Sequence, residues 1–512
     1  MTHRVVVVGA GVAGLVAALE LAVRGIDVTL VERAPAPGGK LRELAVGNAR
    51  IDGGPTVFTM RWIFEEIFAR AGTSLAANLT LQPAEVLARH AWSGQERLDL
   101  YADVDRTADA IGAFSGPDEA RRYRSFCERA RRIYATLEST YIRAPAPSPL
   151  ALVRNGGLLG LGDLWRIKPF DTLWSALGDQ FRDPRLRQLF GRYATYCGSS
   201  PFLAPATLML IAHVEREGVW LVQGGMYRLA LALADVAAAR GARLRFATAA
   251  SEVVVSGGRA CGVRLASGES IAADAVVINA DVAAIASGRL GARAASAVPP
   301  SPRSARSLSA ITWAMVAPSA GFALQRHNVF FSADYGAEFD DLQRRLRLPT
   351  APTVYVCAQD RDGVHVPAPG TPERLFCLIN APPNGDSHRY TASEIAQCEQ
   401  STFDLLARCG LNIDRHPATT TVTMPQDFER LFPGTGGALY GSATHGWKAS
   451  FSRPGSRSRI PGLYLAGGST HPGPGVPMAA LSGSMAANAL LADLASTRRS
   501  HPMAMHGGMS TR

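Results

Sequence analysis

An α/β fold is predicted, a Rossmann-type dinucleotide-binding domain joined to a discontinuous, mixed α+β lobe, on three features of the 512-residue sequence. The first is an apolar run at 5–8 that leads into Gly9-Ala10-Gly11-Val12-Ala13-Gly14, a helical stretch to Arg24, a second apolar run at 28–31 and the acid Glu32. The second is a late return of short apolar strands at 243–246 and 275–278. The third is a strand at 463–465 that runs into a glycine- and proline-rich turn and an alanine-rich helix.

In the first feature each glycine has a separate task. Gly9 permits the tight turn, Gly11 lets a pyrophosphate approach the backbone, and Gly14 lets the helix pack on the strand, while the N–H groups at the helix start hold the phosphate charge. Glu32 is placed to accept hydrogen bonds from an adenosine ribose. These residues alone predict a dinucleotide site and leave NAD and FAD open.

Composition narrows the class. At 47% hydrophobic content the chain has enough apolar residues for two or three cores. Its seven cysteines are scattered without a CxxC pair, which argues for a reducing compartment and against a disulfide framework or a metal site. The apolar start is interrupted by Glu20 and Arg24 and reads as part of the fold, not as a signal peptide. The apolar run 310–324 is broken by Thr312, Pro318 and Ser319, so no spanning helix is expected. The net charge of +10 comes almost wholly from arginine. It reflects either a coding bias or attraction to anionic lipid; no basic run carries interleaved aromatics, so nucleic acid is not expected as a partner.

Along the chain, Pro35-Ala36-Pro37-Gly38-Gly39-Lys40 can bring backbone N–H groups and positive charge to a second phosphate or to a flavin. A second glycine pair at 53–54 invites close backbone approach, and a helix with Ile63, Phe64, Ile67 and Phe68 on one face follows. Residues 75–221 read as helical, with an amphipathic helix at 120–140 and a proline-rich loop at 143–150. Residues 150–170 read as a monotopic membrane patch, or as a mobile lid or core helix. His213, Glu215 and Glu217 form the one titratable cluster beside a long apolar stretch, with structural and catalytic roles both open. A hairpin is expected about Gly257-Gly258, Asp281 as a helix cap, strands near 354–357 and 375–379, and a capping-box helix from Thr391 to Arg408. At the C-terminal turn the positive helix end would stabilise charge on a reduced flavin ring. Both chain ends close on one long cofactor, which favours FAD.

The stretches 5–43, DGGPTVFTMRW, SPFLAPATLMLIAHVEREGVWLVQGG and GLYLAGGSTHPGPGVPMAALSG resemble, in order and over nearly the whole chain, the bacterial carotenoid desaturases of the phytoene desaturase family. Within it, GPTVFTMRW and HPGPGVPMAALSG are most similar to the branch that acts on 1-hydroxy and 1-methoxy carotenoids; the phytoene-acting branch tends to carry a PGVVGSA-like continuation where this chain has Pro477-Met478-Ala479-Ala480-Leu481-Ser482-Gly483.

The resemblance implies a glutathione reductase/amine oxidase-like FAD-binding domain at 1–75, 222–298 and 425–497, a substrate- and membrane-binding lobe at 76–221 and 299–424, and a disordered tail at 498–512. It implies noncovalent FAD at Gly9, Gly11, Val12, Ala13, Gly14, Glu32, Arg33, Gly39, Lys40, Leu41, Gly54, Pro55, Thr56, Val254, Ala280, Asp281, Gly468, Ser469, Val476, Pro477 and Met478. It further implies a lipid-dissolved C40 carotenoid, peripheral attachment to the cytoplasmic side of a bacterial inner or photosynthetic membrane, and oxygen or a quinone as electron acceptor. The implied reaction forms the C3–C4 double bond by loss of hydride from carbon 4 to flavin and of a proton from carbon 3. No strong acid/base pair stands out, and His213, Glu217 and Arg61 are the candidates for a polar contact or catalytic group. Alternative readings are a phytoene desaturase, a flavin-dependent carotene isomerase, an amine oxidase, or a non-catalytic protein on a flavin fold.

Overall fold

The computed structural model describes residues 3–145, 170–368 and 370–499. Most of the expected membrane patch at 150–170 and the end of the expected tail, 500–512, lie outside the described residues.

The continuous valines of β1 (Arg4–Val8) and β2 (Asp27–Val31) are the pattern of strands covered on both faces. They lie in a parallel five-stranded sheet ordered Leu463–Leu465, Ala275–Ile278, β1, β2, Arg243–Arg245. Helix α1 (Val12–Val23) is buried from Val12 to Ala22, including Glu20. A helix apolar on all sides needs a neighbour on each side. The helices Tyr227–Ala239 and Val476–Arg499 supply them. Glu20 is tolerated inside because Arg70 Nη2 donates to its Oε1 at 2.6 Å and Ser484 Oγ at 2.7 Å.

By length and composition, Val476–Ser496 is apolar enough to cross a bilayer, with a mean hydropathy of 1.3. Its setting is that of a core helix: Ala480, Ala486, Ala487 and Leu490 are buried, and a Cβ on Gly483 would lie 2.3 Å from the Ala13 carbonyl oxygen. The helix runs to Arg499, so residues 498 and 499, expected in the tail, are helical.

A second sheet of seven strands is ordered Thr420–Thr423, Ser309–Ala317, Glu373–Ala381, Val354–Ala358, His327–Phe330, Val86–Ala91, Arg97–Tyr101. All its pairs are antiparallel except that between His327–Phe330 and Val86–Ala91. The apolar run at 310–324 supplies its longest pairing, Ser309–Ala317 against Glu373–Ala381. The helical reading of 75–221 is corrected here, because Val86–Ala91 and Arg97–Tyr101 extend a sheet whose other strands come from 309–423. Leu98 and Leu100 do alternate inward, but so short a period-2 signal does not stand out from helical surroundings. The helix expected at 120–140 spans Pro117–Leu137 and passes into a wider π turn, Glu138–Ile142. The capping box is present: Thr391 Oγ1 accepts from the Glu394 N–H and Glu394 Oε2 accepts from the Thr391 N–H, opening Ala392–Arg408.

Two consequences follow for stability. Helix α1 and the last helix touch backbone to backbone at Gly483, so Gly483→Ala is expected to cost about 2 kcal/mol, the overpacking penalty of a tight core. A lower urea midpoint at unchanged slope is the readout, and a wild-type midpoint would mean that the helices part without strain. Glu338, on Tyr335–Gln343, is buried with Oε2 accepting from Thr353 Oγ1 at 2.6 Å and Ser332 Oγ at 3.1 Å, while Oε1 has no partner. Burial pushes this carboxyl up from 4.5 to about 7. A carboxyl raised in the folded state stabilises the fold below its unfolded value and loses that contribution as pH rises through its folded value. The stability of wild type relative to Glu338→Gln is therefore expected to fall by about 1.4 kcal/mol per pH unit across that window. Denaturation curves at several pH values measure it, and a pH-independent difference would contradict it.

Candidate functional site

Two turns from opposite ends of the chain meet around Asn279, and a third seats on the first. Gly9 has φ +100°, and a Cβ there would lie 2.7 Å from the Asn279 carbonyl oxygen; a Cβ on Gly11 would lie 2.6 Å from Asn279 Oδ1, and one on Gly14 2.0 Å from the Gly9 carbonyl oxygen. Asn279 Nδ2 donates to the Ala466 carbonyl at 3.0 Å, which ties on the C-terminal turn. The turn at 38–39 is laid on the same place: the Gly38 N–H donates to the Ala10 carbonyl at 2.8 Å, and a Cβ on Gly39 would lie 3.2 Å from Gly11 Cα. With no side chain at 9, 11 or 39, the N–H groups at the start of α1 stand open to an anion. Glu32 closes this end, its two oxygens accepting from the Ala10 N–H at 2.7 Å and the Ala34 N–H at 2.8 Å.

A cavity of about 1030 Å³ extends from this cradle. It passes residues 38–42 and 53–56, reaches the turn at 467–478, and continues into an apolar arm lined by Leu137, Ile142, Leu208, Ile211, Val214 and Phe451. Lys40 Nζ donates to the Leu439 carbonyl at 2.6 Å and lies over the Phe432 ring. Burial pushes its ammonium pKa down, with the Asp281 carboxylate opposing and the Arg453 charge adding to the shift. Arg453 is buried behind the turn, donating to the carbonyls of Tyr440, Ser442 and Gly468. Asp281 caps Val282–Ala286 by accepting from the Ala283 N–H at 3.0 Å. The large sheet forms another wall through Thr312, Tyr355, Phe376, Leu378 and Asn380. Tyr355 Oη is 2.7 Å from both Thr56 Oγ1 and His327 Nδ1, and burial pushes the imidazole down to about 3, so His327 is neutral.

Of the residues expected to hold the cofactor, all but Gly14 and Val254 line this cavity. Gly14 lies beneath it, where helix meets strand. Val254 is a correction: it sits opposite Gly262 within an antiparallel hairpin that has already left the cavity, which instead takes Thr248, Ala249 and Ala250. The catalytic candidates are corrected too, since His213, Glu217 and Arg61 do not line it. Helix Leu210–Arg216 turns Leu210, Ile211, Val214 and Glu215 to the cavity. His213 is rotated off that face, its ring 4.8 Å from that of Tyr134 and its Nδ1 2.9 Å from Arg216 Nη2. Glu217 is 63% exposed, and Arg61 pairs with Glu65 at 2.7 Å. Sequence reasoning missed Asn279, Arg192, Tyr196, Tyr355 and Arg453. Tyr355, Phe376 and Leu378 lie on strands that the sequence does predict, at 354–357 and 375–379; for Arg192, Tyr196 and Arg453 no local pattern exists.

The profile of the family described as flavin containing amine oxidoreductase matches residues 12–491. The chain is 57% identical to a hydroxyneurosporene desaturase of Rubrivivax gelatinosus, over 100% of this chain and 97% of the relative. It is 45% identical to one of Cereibacter sphaeroides, over 97% and 99%. A solved putrescine oxidase with putrescine bound shares the fold, with a TM-score of 0.58 at 15% identity over 96% of this chain and 99% of the other. The glycine cradle and Glu32 at its end fit FAD. Because Glu32 fixes two backbone N–H groups of the cradle, Glu32→Ala is expected to weaken FAD binding by about tenfold or more, the worth of one charged hydrogen bond; titration of flavin fluorescence measures it, and an unchanged Kd would deny Glu32 the role. Cradle, cavity and relatives agree: the chain belongs to the flavin-containing amine oxidoreductase family, as an FAD-dependent oxidoreductase of its carotenoid desaturase branch.

Proposed function

We propose that the protein introduces the C3–C4 double bond into acyclic 1-hydroxy and 1-methoxy carotenoids, at the cytoplasmic face of a bacterial membrane, and passes the electrons to oxygen or a quinone. The observation that carries this reading is the full-length 57% identity to a hydroxyneurosporene desaturase. The cavity supports it, because an apolar arm continuous with a dinucleotide cradle suits a rod-like hydrocarbon brought end-on to a flavin.

FAD, when bound, supplies the two-electron acceptor for hydride. Carbon 4 is allylic to the polyene, so hydride loss leaves positive charge spread over many double bonds and makes the carbon 3 proton acidic. A weak base or water suffices for its removal. The residues of the chain have the tasks of orientation and dryness: Leu137, Ile142, Leu208, Ile211 and Val214 hold the hydrocarbon and exclude water. At the flavin end, Lys40, Arg453 and the N-terminus of Val476–Arg499 bring positive potential to the turn at 467–478.

Attachment to a membrane is supported by the rim. Phe170 lines the cavity while 66% exposed, its ring centroid is 5.5 Å from that of Trp447, and Lys448 lies beside the same indole. An exposed aromatic pair with a neighbouring cation is what an opening facing lipid requires.

Purified protein with FAD, given 1-hydroxyneurosporene in liposomes, is expected to red-shift the polyene absorbance and yield a product lighter by two hydrogens. Conversion of phytoene with no reaction of the hydroxylated substrate would move the protein to the phytoene desaturase branch, and an unchanged mass would make it an isomerase.

A further inference from the structure

Glu215 is the sole carboxylate among the described residues lining the cavity away from Glu32 and Asp281. It is 8% exposed. Tyr193 Oη donates to its Oε2 at 2.7 Å, the Tyr196 hydroxyl stands beside it and favours its charged form, and Arg192 Nη1 donates to the Tyr196 hydroxyl oxygen at 3.3 Å. Burial pushes the Glu215 carboxyl up, while the two tyrosines and the Arg192 charge oppose the shift. A hydrocarbon offers this cluster no partner, and a well-packed apolar replacement of a whole buried ionic group is often neutral for a fold. Its retention in the wall of an apolar arm calls for a polar ligand atom.

Its position says which atom. The Arg192 guanidinium lies 5.4 Å from the centre of the Tyr355 ring, and Tyr355 Oη bonds Thr56 in the cradle. Gly198, just beyond the turn Arg192–Cys197, is packed on Tyr440, next to the carbonyl that holds Arg453. The cluster therefore lies on the cofactor side of the arm, not at its far end. In a 1-oxygenated carotenoid the oxygen is on carbon 1, two bonds from carbon 3, so the group that reads it has to sit beside the reacting carbons.

We propose that Arg192, Tyr196 and Glu215 form the site that recognises the carbon 1 oxygen and so set end-group specificity. Arg192 donates to the oxygen of a hydroxyl or of a methoxy group. Glu215 accepts from a hydroxyl and has nothing to accept from a methoxy group. This assignment rests on the desaturase reading above.

The test compares kcat and KM of the FAD-loaded enzyme for 1-hydroxyneurosporene, its 1-methoxy counterpart and neurosporene in liposomes. Glu215→Gln is expected to lower kcat/KM for the hydroxy substrate about tenfold, mainly through KM, and to leave the methoxy substrate within about threefold. Arg192→Met is expected to lower both oxygenated substrates relative to neurosporene, with Arg192→Lys restoring part of the loss. Tyr196→Phe, which removes one hydroxyl at nearly constant volume, should shift the hydroxy-to-neurosporene ratio in the same direction and serves if the charge variants lose their flavin spectrum. If wild type converts the hydroxy substrate but the substrate ratios are the same in every variant that keeps its flavin, the recognition site is overturned and the desaturase reading stands. If wild type converts no 1-oxygenated carotenoid, both fall.

Discussion

The architecture depends on the space that Asn279 occupies. It follows the strand Ala275–Ile278, which lies between β1 and Leu463–Leu465, so its backbone crowds Gly9 and its amide crowds Gly11 and Gly14. A Cβ at Gly9 or Gly14 meets backbone and one at Gly11 has to displace the Asn279 amide, while the same amide binds the Ala466 carbonyl. One side chain thus couples the N-terminal glycine turn, the middle of the parallel sheet and the C-terminal turn. The turn at 38–39 then seats on Gly11, so the chain's own hydrogen bonds hold the cradle together. Such preorganisation lowers the ordering cost of binding.

From that cradle the cavity changes character along its length. Near the turns it is charged: Lys40, Asp281 and Arg453 stand there, and the Asp281 carboxylate opposes the downward shift that desolvation gives the two cations. Beyond them it is largely apolar, and among the described residues a charged break is made there by Arg192 and Glu215, with Tyr196 beside them. The low-dielectric arm strengthens every electrostatic interaction at its inner end. The glycine cradle and the apolar arm therefore belong to one continuous space.

Much of the nucleotide-binding half was legible because its signals are local. Strand, glycine turn, helix, strand and acid follow within residues 4–32, and Asp281, Thr391 and the 257–258 hairpin are read from short-range turn and capping chemistry. The half built on the seven-stranded sheet was less legible because that sheet is assembled from segments far apart. Val86–Ala91 pairs with His327–Phe330, and no pattern within residues 75–221 announces a partner so distant. The helix Leu210–Arg216 shows how fine the margin is. Its titratable cluster was visible, but two residues along a helix turn the side chain by more than half a circle, and Glu215, not His213 or Glu217, faces the cavity.

By itself the sequence determined a dinucleotide-binding α/β chain whose two ends close on one cofactor, and its motifs pointed to the carotenoid desaturase branch. Those conclusions rest on covalent neighbours: which φ angles glycine permits, which periods bury a strand or helix, which acid follows the second strand. Only the tertiary structure decided that Asn279 is the piece the glycines are shaped around, that Val254 lies outside the cavity, and that one buried acid and one arginine interrupt an otherwise apolar arm. Close approach, burial and shared electrostatics belong to pairs of residues far apart in the chain, and the chain has to fold before such pairs exist.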